Sequence, residues 1–76
     1  MGLKELREKH GFTQIKIASL AGIYHPRMST LEHEYFPMTE KEKGKIVAAY
    51  NSLGVDATKE LEEIYKGQNK NVGGNE

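Results

Sequence analysis

Apolar side chains recur along this chain at intervals of three and four residues, and each run stops at a glycine or a proline, which is the pattern of short amphipathic helices. Leu3, Leu6 and His10 form a narrow stripe in an otherwise charged segment, and Gly11 ends it in a left-handed cap position. Thr13 caps a second helix with Gln14 at its first position, Ile17 placed to staple back onto Phe12, and Ile17, Ala18 and Ala21 inward. Gly22 breaks that helix and Ile23 drops into the core. A third helix is predicted from Tyr24 or His25 to Glu34, with Met28 and Leu31 inward. Pro26 fits its first turn, where the missing amide would have had no partner anyway. Pro37 makes the segment from Tyr35 to Met38 a loop.

Thr39 caps a fourth helix that carries Glu40 and Glu42 in its first turn, where carboxylates oppose the helix dipole favourably. Ile46, Ala49, Tyr50 and Leu53 form its buried stripe, Gly54 stops it, and Val55 turns inward. Asp56 or Thr58 caps a last helix, with Ala57, Leu61, Ile64 and Tyr65 on one face and Glu60, Glu62 and Glu63 on the other, ending at Gly67. The division is a domain over residues 1–66 and a flexible tail over 67–76, where a single apolar side chain among Gly and Asn cannot offset the entropy of ordering. No segment alternates with strand period and nothing repeats, so the expected fold class is all-α, a compact five-helix bundle.

Composition narrows the function. Seventy-six residues without cysteine make one small domain with no disulfide and no thiolate metal site. Lysine plus arginine (11) balance aspartate plus glutamate (11), so polyanion binding has to come from local patches. The charged start and the lack of any run of about 18 apolar residues argue against a signal peptide and a spanning helix, and the expected location is cytoplasmic. A catalytic cleft needs an enclosed pocket of roughly 300 Å³, which a bundle of this length seldom forms. Ser19, Ser29 and Ser52 show no base and carboxylate arranged around them, and His10, His25 and His33 lack ligand spacing, so neither an enzyme, a cofactor nor a metal is expected.

The segment from Thr13 to Glu32, TQIKIASLAGIYHPRMSTLE, is a helix, a glycine turn and a second helix, with small residues where the two would cross. It resembles the helix-turn-helix of the phage Cro/repressor (XRE-type) family. That family runs Thr or Ser, Gln, two variable positions, Leu, Ala, two variable positions, Ala, Gly, Val. Thr13, Gln14, Ile17, Ala18, Ala21, Gly22 and Ile23 stand at those places, and Met28, Leu31 and Glu32 continue the match. Leu53, Gly54 and Val55 match the triplet that closes the family's fourth helix, so the resemblance covers roughly residues 2–65.

The resemblance implies a lambda-repressor-like DNA-binding domain whose third helix enters the major groove. Carried over by position, it makes His25, Pro26, Arg27, Ser29 and Thr30 the base-facing candidates and Gln14 and Lys16 the phosphate candidates. His33 and the amides near Thr39 lie where the family again touches the backbone. The implied function is a small transcriptional regulator on double-stranded, operator-like DNA. As a homodimer it would use its last helix or tail for the contact, with recognition helices about 34 Å apart on a palindrome.

The chain also departs from the family. Tyr24 replaces the usual Ser or Thr cap of the recognition helix, and Pro26 stands where Gln or Arg often reads a base. Lys16 and Arg27 face Glu32 and Glu34 in charge, and Glu40 and Glu42 interleave with Lys41, Lys43 and Lys45, so the electrostatic footprint is thin. Ile15 and Leu20 occupy commonly polar positions, and Tyr24, Tyr35, Phe36 and Met38 fall at a cap or in a loop. These features motivate a reading of a different class: a modulator or antirepressor that binds a companion repressor protein through Ile15, Leu20, Tyr24, Arg27, Tyr35 and Phe36, with weak DNA binding of its own.

Overall fold

The computed structural model describes residues 2–33 and 37–68, and among them the chain forms five α-helices and no strand. Helix α1 spans Leu3–Lys9, α2 Gln14–Ala21, α3 His25–Glu32, α4 Glu40–Ser52 and α5 Thr58–Gln68. Local chemistry sets most of these boundaries. The Gly2 amide donates to Glu5 Oε1 at 2.7 Å at the start of α1. The hydroxyl of Thr13 accepts from the Lys16 amide at 3.1 Å at the start of α2. Thr39 and Glu42 close a reciprocal box on α4, with Thr39 Oγ1 accepting from the Glu42 amide (3.1 Å) and Glu42 Oε1 from the Thr39 amide (2.9 Å). Gly22, at φ +67°, ends α2 in the left-handed region that a side chain would strain, and so lets the Ile23 amide reach back to the Ala18 carbonyl at 3.0 Å.

Helix α2 lies at the centre, packed on α1, α3 and α4, while α5 packs on α4 and α1. The core between them comprises Leu3, Leu6, Ile17, Ala18, Ala21, Ile23, Met28, Leu31, Met38, Ile46, Ala49, Tyr50, Ala57, Leu61 and Ile64. Phe12, Val47, Leu53, Val55 and Tyr65 are half-buried against it. The rings of His10, Phe12 and Tyr50 cluster as a triangle, with the His10 centroid 6.1 Å from Phe12 and 5.9 Å from Tyr50 and the latter two 5.9 Å apart, which brings the last member of the α1 stripe onto α4.

Three boundaries or placements differ from the sequence reading. Helix α3 stops at Glu32, with His33 as its cap, and Glu34 lies outside the described residues. Gly67 does not end α5. The helix runs through it to Gln68, whose Oε1 accepts from the Met38 amide at 2.9 Å and ties the last turn to the segment before α4. Met38, grouped above with the exposed apolar side chains, is buried in the core. Tyr35, Phe36 and the tail from 69 onward lie outside the described residues. No helix among the described residues is long and apolar enough to cross a membrane.

Candidate nucleic-acid interface

The α2–turn–α3 pair carries the residues that the sequence singles out, and a polar chain running inward from its surface holds them. Arg7 of α1 and Glu32 of α3 meet as a bidentate ion pair, with Arg7 Nε donating to Glu32 Oε2 at 2.8 Å and Nη2 to Oε1 at 3.1 Å. The Glu32 side chain is only 2% exposed, so these partners take the place of the water it would otherwise bind. Arg7 also donates to the Phe12 carbonyl at 2.8 Å, which holds the chain between α1 and α2. The pairing with Glu32 outweighs desolvation and raises the arginine's pKa above its ordinary value. Gln14 Nε2 joins the carboxylate at 3.1 Å, and Gln14 Oε1 lies 2.7 Å from His25 Nε2. One continuous path therefore links α1, the buried acid, the first residue of α2 and the first residue of α3.

Beyond this path the predicted site residues divide. His25, Pro26 and His33 are exposed and Ser29 and Thr30 half-buried on α3 and its cap. Thr30 Oγ1 donates to the Pro26 carbonyl at 3.0 Å, and His33 Nδ1 donates to the Ser29 carbonyl at 2.8 Å, so both side chains also stitch α3 to itself. Lys16 is exposed, with no ion pair among the described residues. Arg27 is instead engaged: its Nε and Nη2 donate to Glu42 Oε2 and Oε1 at 2.7 and 3.0 Å. The ion pair raises the arginine's pKa, and Arg27 with the Thr39 amide holds the Glu42 carboxyl below the usual range. Glu42 thus serves two elements, as the acidic half of the α4 capping box and as the partner of the α3 arginine.

The α4 lysines are similarly divided. Lys43 pairs with Glu62 of α5 at 2.5 Å and lies 4.7 Å above the Tyr65 ring, whereas Lys41 and Lys45 are exposed. Among the candidate interface residues, Ile15 (65%), Leu20 (44%) and Tyr24 (79%) stand out in solvent. On α2 the first two flank Lys16 and Ser19, so the exposed face of that helix is apolar at its margins and polar between them.

Arg7, Glu32 and Glu42 were not singled out from sequence as parts of the site. A signal was present. Arg7 lies one turn beyond Leu3, and Glu32 one turn beyond Met28, so charges of opposite sign fall on two inward stripes and imply a buried pair. Thr39 followed three residues later by Glu42 is the capping-box spacing.

Elsewhere, an open depression of about 460 Å³ runs along α5, lined by Asp56, Thr58, Lys59, Glu62, Glu63 and Lys66, none of them a candidate DNA-binding or protein-interface residue. Among the described residues no group of three His, Asp or Glu converges as a metal site. Comparison of the chain with protein-family models, with curated proteins and with solved structures returns no match.

Proposed function

We propose that the protein is a small DNA-binding transcriptional regulator of the Cro/repressor type that lays α3 in the major groove of an operator-like site. The observation that carries this reading is the 2.7 Å contact between Gln14 and His25. It joins the phosphate candidate at the start of α2 to the base candidate at the start of α3, on a face that continues through Pro26, Ser29 and Thr30. The α2 amides and Lys16 serve the backbone, and α3 serves the base edges. Arg27 offers its Nε and Nη2 to DNA only after exchanging Glu42 for it. With Lys16 and Arg27 as the main cations, the log–log salt slope is expected near about −2 per protomer, at about −0.9 for each phosphate neutralised.

A second reading is favoured by Ile15, Leu20 and Tyr24, whose exposure a phosphate-facing surface does not explain. In it these side chains bury against a companion repressor protein, and the DNA contact is weak unless both proteins are bound. A gel-shift with DNA flanking the protein's own gene, with and without the product of the neighbouring gene, separates the two. A shift with this protein alone supports the first reading, and a shift only with both proteins supports the second. No shift under either condition at low salt removes the DNA-binding function.

A further inference from the structure

Four hydrogen bonds determine which nitrogen of an exposed imidazole carries the proton. The Glu32 carboxylate, paired with Arg7 and buried, only accepts. The Gln14 atom 3.1 Å from it is therefore the amide nitrogen, donating. Gln14 has one other polar atom, its oxygen, and that atom faces His25 Nε2 at 2.7 Å. An amide oxygen only accepts, so His25 Nε2 must donate. Turning the Gln14 amide over would set its oxygen against the Glu32 carboxylate, two acceptors in contact at a place closed to water. In a neutral imidazole only one nitrogen bears hydrogen, so His25 Nδ1 is bare. His25 is exposed at the first position of α3, and its Nδ1 makes no hydrogen bond among the described residues.

We propose that the Arg7–Glu32–Gln14 chain makes His25 a hydrogen-bond acceptor toward its ligand, so that α3 reads the exocyclic amino group of an adenine or a cytosine. The inference rests on the DNA-binding reading above. In the major groove, adenine N6 and cytosine N4 are the donors, whereas guanine N7 and O6, thymine O4 and the phosphate oxygens all accept and would meet a bare Nδ1 unfavourably. A histidine free of the chain would interconvert between tautomers and accept either kind of partner. Held by it, His25 discriminates between base pairs instead of adding to backbone affinity. Arg7 and Glu32 touch no ligand in this scheme. They are positioning residues acting through Gln14.

Long-range proton–nitrogen correlation spectra of the nitrogen-15-labelled full chain, at about pH 8, read the tautomer directly. The expected result is a proton on Nε2 and a bare Nδ1 at His25, in contrast to His33, whose Nδ1 holds the proton donated to Ser29. Gln14→Leu should bring the other His25 tautomer into view. A wild-type His25 protonated on Nδ1, or a tautomer unchanged by Gln14→Leu, overturns the inference, and the wild-type spectrum decides alone if the variant does not fold. Selection from a pool of randomised DNA duplexes then tests the consequence. Wild type should enrich adenine or cytosine at one position, His25→Ala should identify that position by losing the preference, and Gln14→Leu should weaken it there by about tenfold. Enrichment of guanine at that position contradicts the inference. Failure of wild type to retain any duplex contradicts the DNA-binding reading instead, leaving the tautomer measurement to judge the chain of hydrogen bonds on its own.

Discussion

Replacing Arg7 with methionine keeps a long flexible side chain on α1 and removes every guanidinium contact. Glu32 would lose the donors at 2.8 and 3.1 Å and keep one, from Gln14, at a side chain that is 2% exposed. Breaking one side of a buried pair leaves an uncompensated charge and costs about 3–5 kcal/mol. At about 0.05–0.15 kcal/mol per residue, a chain of 76 residues has about 4–11 kcal/mol in all, so Arg7→Met removes between about a quarter and all of it. The midpoint of thermal unfolding, followed by helical circular dichroism, should fall by at least about 12 °C, at about 4 °C or more per kcal/mol for a domain of this size. The double variant Arg7→Met/Glu32→Met removes both charges and should recover most of that loss, because the penalty lies in the orphaned carboxylate and not in missing attraction. A loss below about 1 kcal/mol for Arg7→Met, or a double variant no more stable than the single one, would refute the reasoning, since the pair would then behave as an exposed one.

Three further expectations concern other parts of the fold. Glu42 has a folded-state pKa below its unfolded value, so the unfolded chain takes up the proton first as pH falls, and the contribution is present above the ordinary glutamate range near about 4.3 and lost below it. Glu42→Gln, which keeps the capping spacing, should be less stable than wild type at pH 7 in urea melts, with the difference closing toward pH 3; an equal difference at both pH values argues against the ion pair. Burial pushes the Tyr50 hydroxyl up to about 12 from 10.0, with Arg7 opposing, so its contribution is intact below pH 10 and lost as pH rises to 12, a change of about 2–3 kcal/mol that Tyr50→Phe should abolish in alkaline denaturation curves. Gly44 sits inside α4 with nothing within 4 Å of where a Cβ would stand, so Gly44→Ala should stabilise by about 0.5–1 kcal/mol, and a lowered unfolding midpoint would count against that open environment.

What the sequence made legible was the chemistry of near neighbours. Thr13 and Thr39 as caps, Gly22 as the turn, and the stripes Ile17–Ala18–Ala21 and Ile46–Ala49–Tyr50 follow from spacings of one turn or less, and all hold in the fold. The site was legible as a set of positions but not as a set of bonds. Gln14 and His25 could be placed on adjacent helix starts, yet their contact depends on Glu32, and Glu32 depends on Arg7, which lies 25 residues away in sequence. Arg27 falls on the outer side of α3 by its spacing, but Glu42, 15 residues on, accepts from its Nε and Nη2. Gly67 has the composition of a helix end, yet α5 continues past it to Gln68, whose side chain accepts from the distant Met38 amide. Periodicity reports which face of a helix turns inward. It does not report which charge waits there on another helix.

The proposal that the start of α3 and the start of α2 form one DNA-facing surface is tested most directly by titrating the nitrogen-15-labelled protein with its own upstream duplex and following backbone amide shifts residue by residue. The expected result is a set of salt-sensitive shifts confined to Gln14, Lys16 and the stretch from His25 to Thr30, with α5 unmoved. Shifts spread along α5, or none at about 50 mM salt where phosphate contacts are strong, would contradict it.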